Sequence, residues 1–180
     1  VCSSDLHNIN NLNMLKQHSQ RVSSLASELG KSLKMNNKLI KHLLIAGKYH
    51  DIGKYLIPSD IMFKPDRLTK EEFDTIKKHA GYSYFLMKDL NFNDEICEMI
   101  KHHHESYDGT GYPDSLKGKE IPIGARILKI CGMIEDHKLI AQNDKMEMYL
   151  LEKTLSIIIR DKKTGAVMYS TVSKPDKSSN

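Results

Sequence analysis

The sequence predicts an all-α domain, and three observations carry that expectation. Apolar residues recur at spacings of three and four along successive segments, the mark of helices that bury one face. Leu, Ile and Met dominate the apolar set and Trp is absent, a mix that suits helices better than strands. No stretch of useful length alternates apolar with polar residues.

The first helix is expected over residues 12–34, with Val22, Leu25, Leu29 and Leu33 on its buried face. Asn36 and Asn37 break it, and Asn37 is placed to cap the next helix. That second helix is expected over residues 38–52. Leu39, Leu43 and Gly47 form an apolar row, with Ile40 and Leu44 beside it. His50 and Asp51 fall seven residues after Leu43 and Leu44 and so continue the inward stripe. Two polar side chains on a buried stripe must find partners, because desolvating them alone is costly.

Gly53, Pro58 and Pro65 mark a loop. Thr69-Lys70-Glu71-Glu72 reads as a capping box. It opens a third helix carrying Phe73, Ile76, Ala80 and Met87, with His79 three residues beyond Ile76. A fourth helix runs from about Asp94 to Glu105. Ile96 and Ile100 set its face, and His103 and His104 follow on that face. Residues 106–120, rich in Gly, Asp and Pro, form a loop. Pro122 suits the first turn of a fifth helix, whose core face is Ile123, Ile127, Ile130 and Ile134. A last helix is expected from about Lys145 to Arg160, followed by a frayed tail of Lys, Ser and Asn after Gly165.

At 180 residues the chain is long enough to bury a core without disulfides. One domain is expected over residues 7–165, with 166–180 as a C-terminal tail. Residues 1–6 match the translation of a common sequencing-adapter end and are expected to be an artefact or disordered. Cys2, Cys97 and Cys131 are odd in number and widely spaced, which suggests reduced thiols and a cytoplasmic setting. No apolar run approaches the ~20 residues that span a bilayer. The net charge of +4 is spread along the chain, without a basic run interleaved with aromatics, so a nucleic-acid partner is not expected.

Histidines and one aspartate recur at the inward ends of the helical stripes: His18, His50, Asp51, His79, His103 and His104. Imidazole and carboxylate are common ligands of iron, manganese and zinc. Taken singly, each has a plain reading as a hydrogen-bonded core residue or a surface run. Together they interrupt four separate stripes, which points to one shared site. A carboxylate can bridge two cations while its neighbouring imidazole binds one of them. Two metals ~3.5–4 Å apart can activate a water and stabilise both oxygens of a phosphodiester displacement.

His50-Asp51-Ile52-Gly53-Lys54, His79, His103-His104-Glu105 and Asp108-Gly109-Thr110-Gly111-Tyr112-Pro113 resemble the HD-GYP signature in order and spacing. His18 with Arg21-Val22, Lys64-Pro65, Leu68-Thr69, Glu72-Phe73, Ile121-Pro122 and Ala125-Arg126-Ile127 extend the resemblance over roughly residues 14–165. It implies an HD-superfamily helical bundle with a GYP loop, and bacterial second-messenger signalling through hydrolysis of cyclic di-GMP to the linear dinucleotide or GMP. It also implies two divalent metal ions, iron or manganese. By position His18, His50, Asp51, His79, His103 and His104 would be the ligands, with Asp51 bridging. Lys54 would lie near the substrate phosphate, offsetting developing charge. Gly111, Tyr112 and Arg126 would border the substrate. For Arg126 a structural ion pair is an equal reading, and for the loop a rigid turn. The family's loop is also implicated in contacts with GGDEF-domain proteins, which makes such proteins possible partners.

Three positions depart from the family pattern. Gly132 stands where the family places an aspartate ligand, with Glu135 and Asp136 nearby as substitutes for it on the same helix. Met14 stands where three-metal members carry glutamate, which argues against a third metal. Residues 137–146 lack the family's Arg-Pro-Tyr-Arg segment, whose guanidinium groups suit phosphate. Besides the cyclic di-GMP phosphodiesterase, two readings stay open: a degenerate regulatory domain that binds ligand or a GGDEF partner, and an HD hydrolase of another phosphoester.

Overall fold

Helix α1 (Ser3–Ser32) lays Val22, Ala26 and Leu29 into the core, and α2 (Asn37–Tyr49) faces it with Leu43 and Ala46. The computed structural model describes the backbone of residues 3–141 and the side chains of residues 10–136. The two helices approach closely at one point, where a Cβ on Gly47 would lie 2.6 Å from the Cα of Ser23. The Ser23 hydroxyl donates to the Leu44 carbonyl at 2.6 Å across the same junction. α1 begins well before the expected residue 12. The cap of α2 is Asn36 rather than Asn37. Asn36 keeps the extended backbone a cap requires, and its side chain accepts from Leu39 N at 2.8 Å, whereas Asn37 is already helical.

After α2 the chain tightens into a 3-10 turn, Ile52–Leu56, and then a single helical turn, α3 (Ser59–Met62), within the expected loop. The capping box forms as expected and opens α4 (Lys70–Lys77), with Glu72 N donating to Thr69 Oγ1 and Thr69 N donating to Glu72. The expected third helix is in fact two, because α5 (His79–Asp89) restarts after Lys78. α6 (Asp94–Lys101) ends before the expected Glu105. α7 (Ile123–Ala141) follows Pro122, whose carbonyl accepts from Arg126 N at 3.1 Å.

α6 and α7 complete the core with Ile96, Cys97, Met99, Ile100, Ile127, Leu128, Ile130, Cys131 and Ile134. α6 lies against α2, α5 and α7, and α1 against α2 and α7. The bundle is all-α, with no strand among the described residues. Two apolar residues that the periodicity places on inward rows are exposed instead. Phe73 is exposed beneath the Lys77 ammonium, 4.8 Å from its ring centroid, and Leu44 is exposed on α2. The expected helix over 145–160, the tail after 165 and Cys2 lie outside the described residues.

The early ends of α2, α4 and α6 share a cause. His50 Nδ1 meets the Gly47 carbonyl at 2.8 Å, His79 Nδ1 meets that of Ile76 at 2.6 Å, and His103 Nδ1 meets that of Ile100 at 2.6 Å. Each carbonyl lies in the last turn of α2, α4 or α6, where carbonyls lack intrahelical partners. The ring takes the acceptor at the place where the helix stops.

The 3-10 turn docks on α5 through Gly53. Its N–H donates to Ser83 Oγ at 2.8 Å, and a Cβ there would fall 2.2 Å from the His79 carbonyl oxygen. Gly53→Ala is therefore expected to lower stability by roughly 1–3 kcal/mol, the usual cost of overpacking. Gly81→Ala, where a Cβ meets nothing within 4 Å inside α5, should raise stability by about 0.5–1 kcal/mol. Denaturant midpoints of the two variants check both signs.

Candidate metal centre

The helix ends and α1 aim their polar side chains at one buried carboxylate. Asp51 is 3% exposed, and its two oxygens face different partners. Oδ1 lies 3.3 Å from His79 Nε2 and 3.7 Å from His103 Nε2. Oδ2 lies 3.1 Å from His50 Nε2, 3.7 Å from His18 Nε2 and 2.7 Å from Lys54 Nζ. His104 Nε2 joins the first side at 3.1 Å from His79 Nε2. Two ligand groups result, Asp51-His79-His103-His104 and His18-His50-Asp51, with Asp51 common to both. All six candidate ligands read from the sequence are thus brought together.

The chemistry of the donors fits a cation. A carbonyl oxygen can only accept, so His50, His79 and His103 each carry their proton on Nδ1 when neutral. Their Nε2 atoms then present lone pairs inward. The bare Nε2 atoms of His79 and His103 lie 3.4 Å apart, an arrangement that a shared positive charge would relieve. Asp51 Oδ1 is buried and accepts no hydrogen bond among the described residues. An outer hydrogen bond on each imidazole is the usual way a protein fixes the tautomer and orientation of a metal-binding histidine.

Burial sets the charge states. It pushes His103 down to about 3, holds His104 well below the usual imidazole range and lowers His18. Burial alone would raise the Asp51 carboxyl, but the charges of His50 and Lys54 outweigh it and hold Asp51 well below the usual range. Burial thus favours neutral imidazoles at His18, His103 and His104 beside one ionised carboxylate, the protonation states that metal ligands need.

The loop after α6 closes one side. The Tyr112 ring stacks on His104 with centroids 4.7 Å apart and planes inclined by 18°, and burial raises its hydroxyl pKa. Gly111 is pressed against the main chain, since a Cβ there would lie 2.2 Å from Ser106 N. Buried Glu105 accepts from Asp114 N at 2.7 Å and Leu116 N at 3.2 Å, pinning the loop from inside. Lys129 of α7 donates to the carbonyls of His104 and Glu105 at 3.1 and 2.7 Å. His102 points away from the centre, with Nε2 2.9 Å from Asp114 Oδ2. Arg126 is buried within α7.

Ser83, Lys129 and the His102–Asp114 pair are supports that the sequence reading did not single out. Ser83 had a legible signal, since it follows His79 by one helical turn. Lys129 and Asp114 had none, because their partners are main-chain or loop atoms set by the tertiary fold. Of the two carboxylates near Gly132, Glu135 is taken by Arg21, whose Nε donates to Oε2 at 2.6 Å. Asp136 faces His18 instead, with Oδ1 3.7 Å from Nδ1.

Comparison with known proteins bears on the family and the fold. A family model described as HD domain matches residues 6–159. The chain is 36% identical over 119 residues to the 3'3'-cGAMP-specific phosphodiesterase 1 of Vibrio cholerae, covering 66% of this chain and 28% of that protein. It is 34% identical over 131 residues to a cyclic di-GMP phosphodiesterase of Thermotoga maritima, covering 66% and 35%. The chain thus spans about a third of the length of these relatives. Among solved structures, the HD domain of the L. monocytogenes phosphodiesterase PgpH in complex with cyclic di-AMP superposes with a TM-score of 0.60 at 20% identity, covering 87% of this chain and 82% of that one. That likeness carries the fold. No described helix is long and apolar enough to cross a membrane.

The two kinds of histidine are separable by experiment. His79→Ala is expected to weaken manganese(II) binding by at least about 10-fold, the scale of lost site support or more. His102→Ala should leave the affinity within a factor of two or so, because its ring faces Asp114. Equilibrium dialysis with metal analysis reads both, and equal losses would contradict the assignment.

Proposed function

The chain belongs to the HD domain family, and from that premise we propose that it is a metal-dependent phosphodiesterase that opens a cyclic dinucleotide, with cyclic di-GMP as the leading substrate. The division of the Asp51 oxygens between two histidine groups carries this reading. The named activities of the relatives support the substrate class. Two divalent cations, iron or manganese, would sit one in each group, with His18 and His50 on one side and His79, His103 and His104 on the other. When bound, such a pair supplies an activated water and positive charge on the phosphodiester oxygens.

The chain's own residues do the rest. Asp51 remains ionised and offers one oxygen to each side. The neutral imidazoles add ligands without adding charge. Lys54 holds its ammonium at the Asp51 carboxylate and is partly exposed, so it is placed to meet a phosphate entering the site. A fixed cation there would stabilise developing negative charge. Tyr112 stacks on His104 and walls the site on the loop side, where it would limit water. Gly111 brings the loop close enough for that stack, and Arg126 would support α7 behind it. The outer surface of the same loop would be the place for a GGDEF-domain partner.

A second reading, binding without turnover, is favoured by one observation. A Cβ on Gly132 would face open space, so no ligand comes from that position of α7.

The test loads the protein anaerobically with iron(II) or manganese(II) and offers cyclic di-GMP and cyclic GMP-AMP, with products resolved by chromatography. The linear dinucleotide or GMP is expected from cyclic di-GMP. Asp51→Ala should abolish turnover and remove most bound metal, because one carboxylate serves both groups. Gly132→Asp should raise metal content or rate. Metal-loaded protein that cleaves neither dinucleotide would move the assignment to the binding module.

A further inference from the structure

We propose that Asp136 is the positioning residue for His18, doing for that ring what backbone carbonyls do for His50, His79 and His103. The inference rests on the reading of His18 as a ligand.

His18 differs from those three rings in its place in the chain. They sit at helix ends, where a carbonyl three residues back lacks an intrahelical partner. His18 lies in the middle of α1, where backbone carbonyls are already engaged in the helix. Its tautomer must be set by a side chain. The side chain is 11% exposed, with Nε2 toward Asp51 Oδ2 and Nδ1 toward Asp136 Oδ1, each at 3.7 Å. At 3.7 Å the carboxylate acts on the outer nitrogen through its charge, which favours the proton on Nδ1 and leaves Nε2 bare toward the centre.

Asp136 is not itself a ligand in this arrangement. The His18-His50-Asp51 group forms without it, and its carboxylate lies beyond the far side of the imidazole. Glu135 is engaged by Arg21 and leaves the position to Asp136. Gly132, one turn earlier on α7, has no side chain to compete for the ring. The Asp136 side chain is 69% exposed, so its removal should cost the fold little.

The test measures manganese(II) binding steps in the wild type, His18→Ala, Asp136→Ala and Asp136→Asn, with thermal unfolding of each metal-free protein alongside. The wild type is expected to bind two ions. His18→Ala should lose one step. Asp136→Ala should weaken that same step by about 10–100-fold and leave the other unchanged, at an unaltered unfolding midpoint. Asp136→Asn keeps an acceptor oxygen and should recover part of the loss. An Asp136→Ala protein that binds like the wild type, or that loses both steps, overturns the inference while His18 remains a ligand. A His18→Ala protein with both steps intact overturns the ligand reading beneath it.

Discussion

The hydrogen bond from an imidazole Nδ1–H to a carbonyl three residues back is made three times, at the ends of α2, α4 and α6. Each instance satisfies a carbonyl at a helix end, fixes a tautomer and turns a bare Nε2 inward. Remove the helix end and the ring has no acceptor; remove the ring and a buried carbonyl loses its donor, at a cost of order 1–3 kcal/mol. Secondary structure and site chemistry are thus one arrangement. The helices stop where they do because the histidines take their last carbonyls.

Convergence on Asp51 depends in turn on close main-chain approach. Gly47 lets α2 meet α1 at Ser23, and Gly53 lets the following turn meet α5 at Ser83. A side chain at either place would push apart elements that carry the donors. On the opposite side, Glu105 and Lys129 hold the ends of the loop, and Tyr112 lies flat on His104. The loop is fixed mainly by charged side chains acting on main-chain groups. This explains how a segment rich in Gly and Asp can still form one wall of a buried centre.

Much of this was legible in the sequence. The apolar periods located the core-bearing helices, and the interruption of four stripes by His and Asp gathered the candidate ligands before any geometry was known. What was not legible has physical reasons. Periodicity sees which residues face inward but not which atom accepts a hydrogen bond, so the ends of α2, α4 and α6 were overrun. The choice of Asn36 over Asn37 as cap turns on backbone angles that two adjacent asparagines do not reveal. Gly111 was expected to border substrate, and its clear structural task is to pack against Glu105 and Ser106. Lys129 could not be found, because its partners are carbonyls.

Of the departures from the family pattern, Met14 lies on α1 and Gly132 on α7, and the architecture limits how far the second reaches. α7 supplies core residues Ile127, Leu128, Ile130, Cys131 and Ile134, and it holds the loop through Lys129. Toward the centre it offers Asp136, which faces His18 from outside. The four inward groups from the ends of α2, α4 and α6 are His50, Asp51, His79 and His103, and none of them is held in place by a residue at position 132. A glycine there removes a donor without removing the scaffold that positions the others. α7 meets the centre at His18, through Asp136, so a ligand missing at position 132 is expected to tell on the side with His18 and His50 rather than on that with His79, His103 and His104. Any weakening of the centre should therefore fall on one of its two halves.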